Sequence, residues 1–95
     1  MEKTLFKAEA AFIITGRGLV FAGTIISGVI HCGDFIVILK DNMILKREIT
    51  GIEFMRTTSR DKTGILIKCE SEEEMKELRN WDVDGTEFEI VKPNS

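Results

Sequence analysis

Residues 5–15 alternate in character: Phe6, Ala8, Ala10, Phe12 and Ile14 fall on one side of an extended chain, Lys7 and Glu9 on the other. A period of two is the pattern of a strand with one buried face. Gly16-Arg17-Gly18 follows, offers two positions tolerant of positive φ, and predicts a tight connection. A second strand is expected over 19–27, with Gly23 marking a bulge or a barrel corner. Residues 28–34 read as a turn region, 35–40 as a third strand, and Asp41-Asn42 as a two-residue hairpin turn. The chain should return through a long fourth strand, 43–55, bent at Gly51. A polar loop over 56–62 and a fifth strand over 64–69 complete this part.

The pattern changes once. Ser71 and Glu74 form a capping box, Glu72, Glu73 and Glu74 fill an acidic first turn, and Glu72 precedes Lys76 by four. Met75 and Leu78 supply apolar contacts three apart, so a short helix is predicted over 72–80. Asp84-Gly85 marks a turn before a last strand over 86–91, and Pro93 belongs to a tail. Six or seven short strands with one helix predict an all-β fold, a closed antiparallel barrel, because closure removes exposed sheet edges. One domain spanning 1–95 is expected, without linkers or repeats.

Composition narrows the partners. With 95 residues, 43% hydrophobic and 31% charged, the chain has the make-up of a globular domain. A net charge of -3 argues against a broad nucleic-acid footprint and leaves room only for local basic patches. The apolar stretch 13–30 is interrupted by Gly16, Arg17, Gly18, Gly23 and Gly28, so no membrane span is expected and the cytoplasm is the default location. Cys32 and Cys69 read as reduced, buried small hydrophobes, and His31-Cys32 lacks the further ligands a metal needs. Gly28 and Gly33 have P-loop spacing, but Asp34 and Phe35 stand where lysine and a hydroxyl would be needed, which argues against GTP binding. No third group orients a His31–cysteine pair, so the chain reads as non-catalytic, with no cofactor.

Residues 12–34, built on Gly16-Arg17-Gly18 and closed by Gly33-Asp34, resemble the opening of the second domain of elongation factor Tu and related translational GTPases. Ile49-Thr-Gly-Ile-Glu-Phe-Met-Arg56 is similar to that family's Thr-Gly-Val-Glu run before an arginine. Thr63-Gly-Ile-Leu-Ile-Lys68 is similar to its following Val-Gly-Val-Leu-Leu-Arg strand, and residues 72–81 fit its short acidic helical turn. The resemblance covers residues 9–83 and implies a translation-factor-type β-barrel, here without the nucleotide-binding domain. In that family the barrel helps hold the terminal adenosine and aminoacyl group of a charged tRNA.

The resemblance implies roles residue by residue. Glu53 matches the glutamate packed against the adenine, Val20 and Leu66 the apolar residues on the base's other side, and Glu9 and Phe12 residues near the aminoacyl end. Three positions depart: Lys62 replaces an asparagine, Ala10 an aspartate and Ala22 a threonine, and the loop before Lys62 is shorter. Arg17, Arg56, Arg60 and Lys62 are candidate contacts to phosphate or carboxylate. The expected function is a binding module for a tRNA 3′ end, ribosomal RNA or a translation-related protein. The alternative is an interaction or immunity-type protein whose acidic helix (Glu72, Glu73, Glu74 and Glu77) meets a basic partner.

Overall fold

The computed structural model describes residues 3–56 and 61–93, with the backbone alone at 55, 56 and 61. The elements are β1 (Thr4–Ile14), β2 (Gly18–Ser27), β3 (Phe35–Lys40), β4 (Met43–Arg56), β5 (Asp61–Ile67), α1 (Glu72–Asn80) and β6 (Glu87–Val91). The strands pair in the order β1-β2-β5-β4-β3-β6, all antiparallel, and β6 closes the barrel against β1 with Thr4 opposite Ile90.

Inward positions carry the large aliphatic and aromatic side chains. Leu19 and Phe21 on β2, Ile36 and Ile38 on β3, Ile49 on β4 and Ile65 on β5 are fully buried, and Phe21 stacks on Phe88 at 5.2 Å. Burial at about 25 cal/mol per Å² of apolar surface makes this interior the main stabilising element. The β3–β4 connection is a two-residue turn as expected, with φ of 53° at Asp41 and 63° at Asn42. Positive φ at both central residues matches the twist of the flanking strands.

The alternation expected for β1 breaks at Glu9. Ala8 pairs with Gly23 and Ala10 with Ala22, leaving Glu9 as an extra, bulged residue. Phe6 and Ala8 point inward, but beyond the bulge it is Ala11 that packs on the core, so Ala10, Phe12 and Ile14 turn outward. Gly23 does mark a bulge, although the extra residue lies on the opposite strand. A Cβ at Gly23 would overlap the Lys7 backbone carbonyl, so only glycine admits this approach. The bend expected at Gly51 coincides with a further register shift, between Ile49 and Gly51. The fifth strand starts earlier than expected: Asp61 pairs with Arg56 and Lys62 with Met55, so Lys62 is a strand residue.

The two ends of the barrel are closed differently. At one end α1 lies across the opening with Leu78 buried and Met75 and Trp81 packed beside it. Ser71 accepts a hydrogen bond from the Glu74 backbone N–H (3.1 Å), while the Glu74 carboxylate accepts from Glu70 N–H (3.3 Å) and not from Ser71. That carboxylate also accepts two hydrogen bonds from Arg47 on β4, at 2.6 and 2.8 Å. Hydrogen bonding to Arg47 holds the Glu74 pKa below its usual value, and the same bond raises that of Arg47.

At the other end the β2–β3 connection tucks Ile30 into the core and buries Asp34. Asp34 accepts from His31 N–H and from Lys92 Nζ, both at 2.8 Å. Burial pushes its carboxyl upward, but the Lys92 and His31 hydrogen bonds and the Lys92 charge outweigh that and leave it lowered. Both cysteines are free, and Cys32 is exposed because it lies in this connection and not on an inward strand position. The expectation of a buried thiol fails there. It holds in part for Cys69, which packs on the core and whose thiol burial and the Glu74 charge push up to about 11.

Candidate functional site

The bulge at Glu9 aligns two rows of side chains on the outer face of four adjacent strands. One row runs Phe12, Val20, Leu66 and Gly51 across β1, β2, β5 and β4; the next runs Ala10, Ala22, Gly64 and Glu53. Val20 lies between the inward Leu19 and Phe21 and therefore points outward, yet it is only 3% exposed, with Phe12 and Leu66 on either side. The second row carries nothing longer than a methyl group until Glu53. The result is a shallow depression floored by Ala10, Ala22 and Gly64 and bounded on one long side by apolar side chains.

Charged groups bound the rest. Arg17, at the β1–β2 turn, forms an ion pair with Glu53 across three strands, and both side chains are roughly half exposed. Lys62 on β5 donates to Glu9 on β1 at 3.0 Å, with both side chains about one quarter exposed. The bulge gives Glu9 this reach, since an extra residue re-aims its side chain. Of the residues proposed from sequence, Glu53, Phe12, Glu9, Val20, Leu66, Arg17 and Lys62 thus share one outer face. Phe12 was expected inside and is instead a half-buried wall residue, because the bulge reverses its side. Arg60 lies outside the described residues, as does the side chain of Arg56.

The cations differ from the expectation in one respect. Arg17 and Lys62 are each held by a carboxylate of the same face. The depression therefore presents two ion pairs, not free charges. A ligand here meets an apolar wall for stacking, two carboxylates that accept hydrogen bonds and two cations that can turn to an anion. The floor residues Ala10, Ala22 and Gly64 were not singled out as contacts, because the alternation read through β1 placed Ala10 on the inner face. No family model matches the sequence. What stands is a closed six-stranded antiparallel barrel with a mixed apolar and ion-paired depression on its outer wall. Among the described residues no helix is long and apolar enough to cross a membrane.

Proposed function

We propose that this barrel is a non-catalytic binding module similar in role to the second domain of elongation factor Tu, and that it holds the exposed 3′ nucleoside of an RNA, a tRNA end being the model ligand. The observation that carries the reading is the convergence of Phe12, Val20, Leu66 and Glu53 around a floor of small residues. A planar base stacks on the apolar row, at about 1–3 kcal/mol per stacked base. Glu53 accepts hydrogen bonds from the base or ribose, and Arg17, released from Glu53, turns to the adjoining phosphate. Work on RNA implies a cytoplasmic setting.

Because Glu53 and Arg17 already satisfy one another, binding exchanges one ion pair for another set of contacts. The net gain is small, and affinity should be modest and salt-sensitive. A module of this kind gains most of its effective affinity when a second contact tethers the same RNA. The test is a titration of the protein with a fluorescent RNA ending in CCA, at low and high salt. The expected result is saturable binding that weakens on Glu53→Gln and on removal of the terminal adenosine. Binding indifferent to both changes, or no binding at low salt, overturns the nucleoside site.

A further inference from the structure

A second surface lies at the α1 end of the barrel, on the side of the β3–β4 hairpin, and shares no residue with the depression. The cleft between α1 and the tip of the β3–β4 hairpin has a volume of about 240 Å³. Its floor is apolar: Leu45 and Leu78 line it, and Met43 stands 61% exposed at its edge. Opposite each other at the same tip, Leu39 (65% exposed) and Ile44 (71% exposed) continue the apolar surface around the hairpin. Leu39, Met43 and Ile44 thus gather three exposed aliphatic side chains at one hairpin tip.

The wall of the cleft is acidic. Glu73 and Glu77 sit one helical turn apart on the same flank of α1 and hold no hydrogen bond or ion pair among the described residues. The neighbouring charges are already matched: Glu74 is held by Arg47, and Asp41 by Lys40 at 2.8 Å, the Lys40 ammonium also lying in the field of Glu77. Among the described residues Glu73 thus makes no ion pair, and Glu77 has only the field of Lys40, which Asp41 already holds, beside an apolar floor.

We propose that this cleft docks a basic amphipathic segment of another protein, with one apolar side chain seated against Met43, Leu45 and Leu78 and flanking lysines or arginines on Glu73 and Glu77. Charge complementarity selects this occupant. The acidic wall repels phosphate and so disfavours RNA on this face, and the chain's own net charge of -3 disfavours a second copy. Met43 suits the role, since an unbranched thioether adapts to differing apolar partners. The surface is separate from the nucleoside site, so either can fail alone.

The probe is a fluorescein-labelled peptide of repeated Lys-Ser-Leu-Ser-Lys units, followed by anisotropy and by amide chemical-shift mapping. Shifts should centre on Met43, Leu45, Glu73 and Glu77 and spare Val20 and Leu66. The double substitution Glu73→Lys with Glu77→Lys should weaken binding about tenfold and create binding to the matching peptide in which glutamates replace the lysines. Glu73→Gln with Glu77→Gln, which leaves the helix intact, should give an intermediate loss at unchanged Tm. The proposal is overturned by absent binding, by equal binding of a scrambled peptide, or by shifts centred elsewhere. It is equally overturned if oligouridine RNA shifts the same amides, or if the protein self-associates through Glu73 and Glu77.

Discussion

The two ends of the barrel are sealed by the same pair of devices, used in different proportions. Each has one buried aliphatic plug, Leu78 at the α1 end and Ile30 at the other, and each has one shielded carboxylate whose pKa lies below its usual value. At the α1 end the carboxylate of Glu74 takes two short bonds from the guanidinium of Arg47 and a longer one from Glu70 N–H, and both side chains are well shielded, at 17% and 13% exposure. At the loop end Asp34 is 5% exposed, while its Lys92 partner is half exposed, and a backbone N–H supplies the other bond. The difference teaches where the cation matters. A planar guanidinium that meets both oxygens in a shielded site cannot be replaced by water, whereas a lysine at the surface can.

Removing the plug should have the largest effect. Leu78→Ala is expected to destabilise by about 3 kcal/mol in denaturant unfolding followed by Trp81 fluorescence. A loss below about 1 kcal/mol would mean that α1 lies on the barrel without closing it. Next come the cations. Arg47→Met should cost about 2 kcal/mol, since it removes two charge-assisted hydrogen bonds made by a shielded guanidinium. Lys92→Met removes one bond to Asp34 from a half-exposed ammonium, leaves the 2.8 Å His31 N–H bond in place, and should cost less than about 1 kcal/mol. Equal costs would erase the proposed asymmetry between the ends.

The carboxylates sharpen the comparison further. Asp34→Ala leaves the His31 N–H without its acceptor and should cost about 1–2 kcal/mol, with Asp34→Asn recovering part of it because an amide oxygen still accepts. Both Asp34 and Glu74 have folded-state pKa values below the ordinary 3.8 and 4.5. A depressed carboxyl contributes stability that is present above its ordinary value and is lost as the pH falls through the folded-state value. Urea midpoints should therefore hold down to about pH 5 and drop below about pH 4, and the drop should shrink in the Asp34→Asn protein. The smallest effect belongs to the outer face. Arg17→Ala should change stability by no more than about 0.5 kcal/mol, because that ion pair is half exposed, so any loss of RNA binding in this variant is not an unfolding artefact.

Much of this barrel was legible because turns are local. Asp41-Asn42, Gly85 and the Gly16-Arg17-Gly18 connection need only their own backbone angles, and each has positive φ where expected. The helix was equally legible, since Ser71 and Glu74 are three apart and cap within the same turn. The side change in β1 was not. Which residue bulges depends on Gly23, fourteen positions beyond Glu9, lying opposite Ala8 and lacking a Cβ. That is a tertiary coincidence which no period in β1 alone can encode. The early start of β5 escaped for a related reason, since Asp61 and Lys62 are too polar to suggest a strand and are held extended by their pairing with β4.

The same limit governs the site. Glu53 stood out as a charge within an apolar run, but its pairing with Arg17 joins a strand to a distant turn and appears only when the barrel is closed. Glu9 and Lys62 are 53 positions apart and meet for the same reason. The resemblance to the translation-factor barrel supplied positions. The ion pairing among them came from the fold.

The seam between β1 and β6 has a kinetic consequence. Thr4 lies opposite Ile90, so the ring of strands is shut by the contacts most distant in the chain. No native circle exists until the last strand is available, and closing so long a loop is an entropic cost that must be met before its contacts are gained. During synthesis the earlier strands therefore wait, with β1 holding an open flank, until residues 87–91 have left the ribosome and can zip along it.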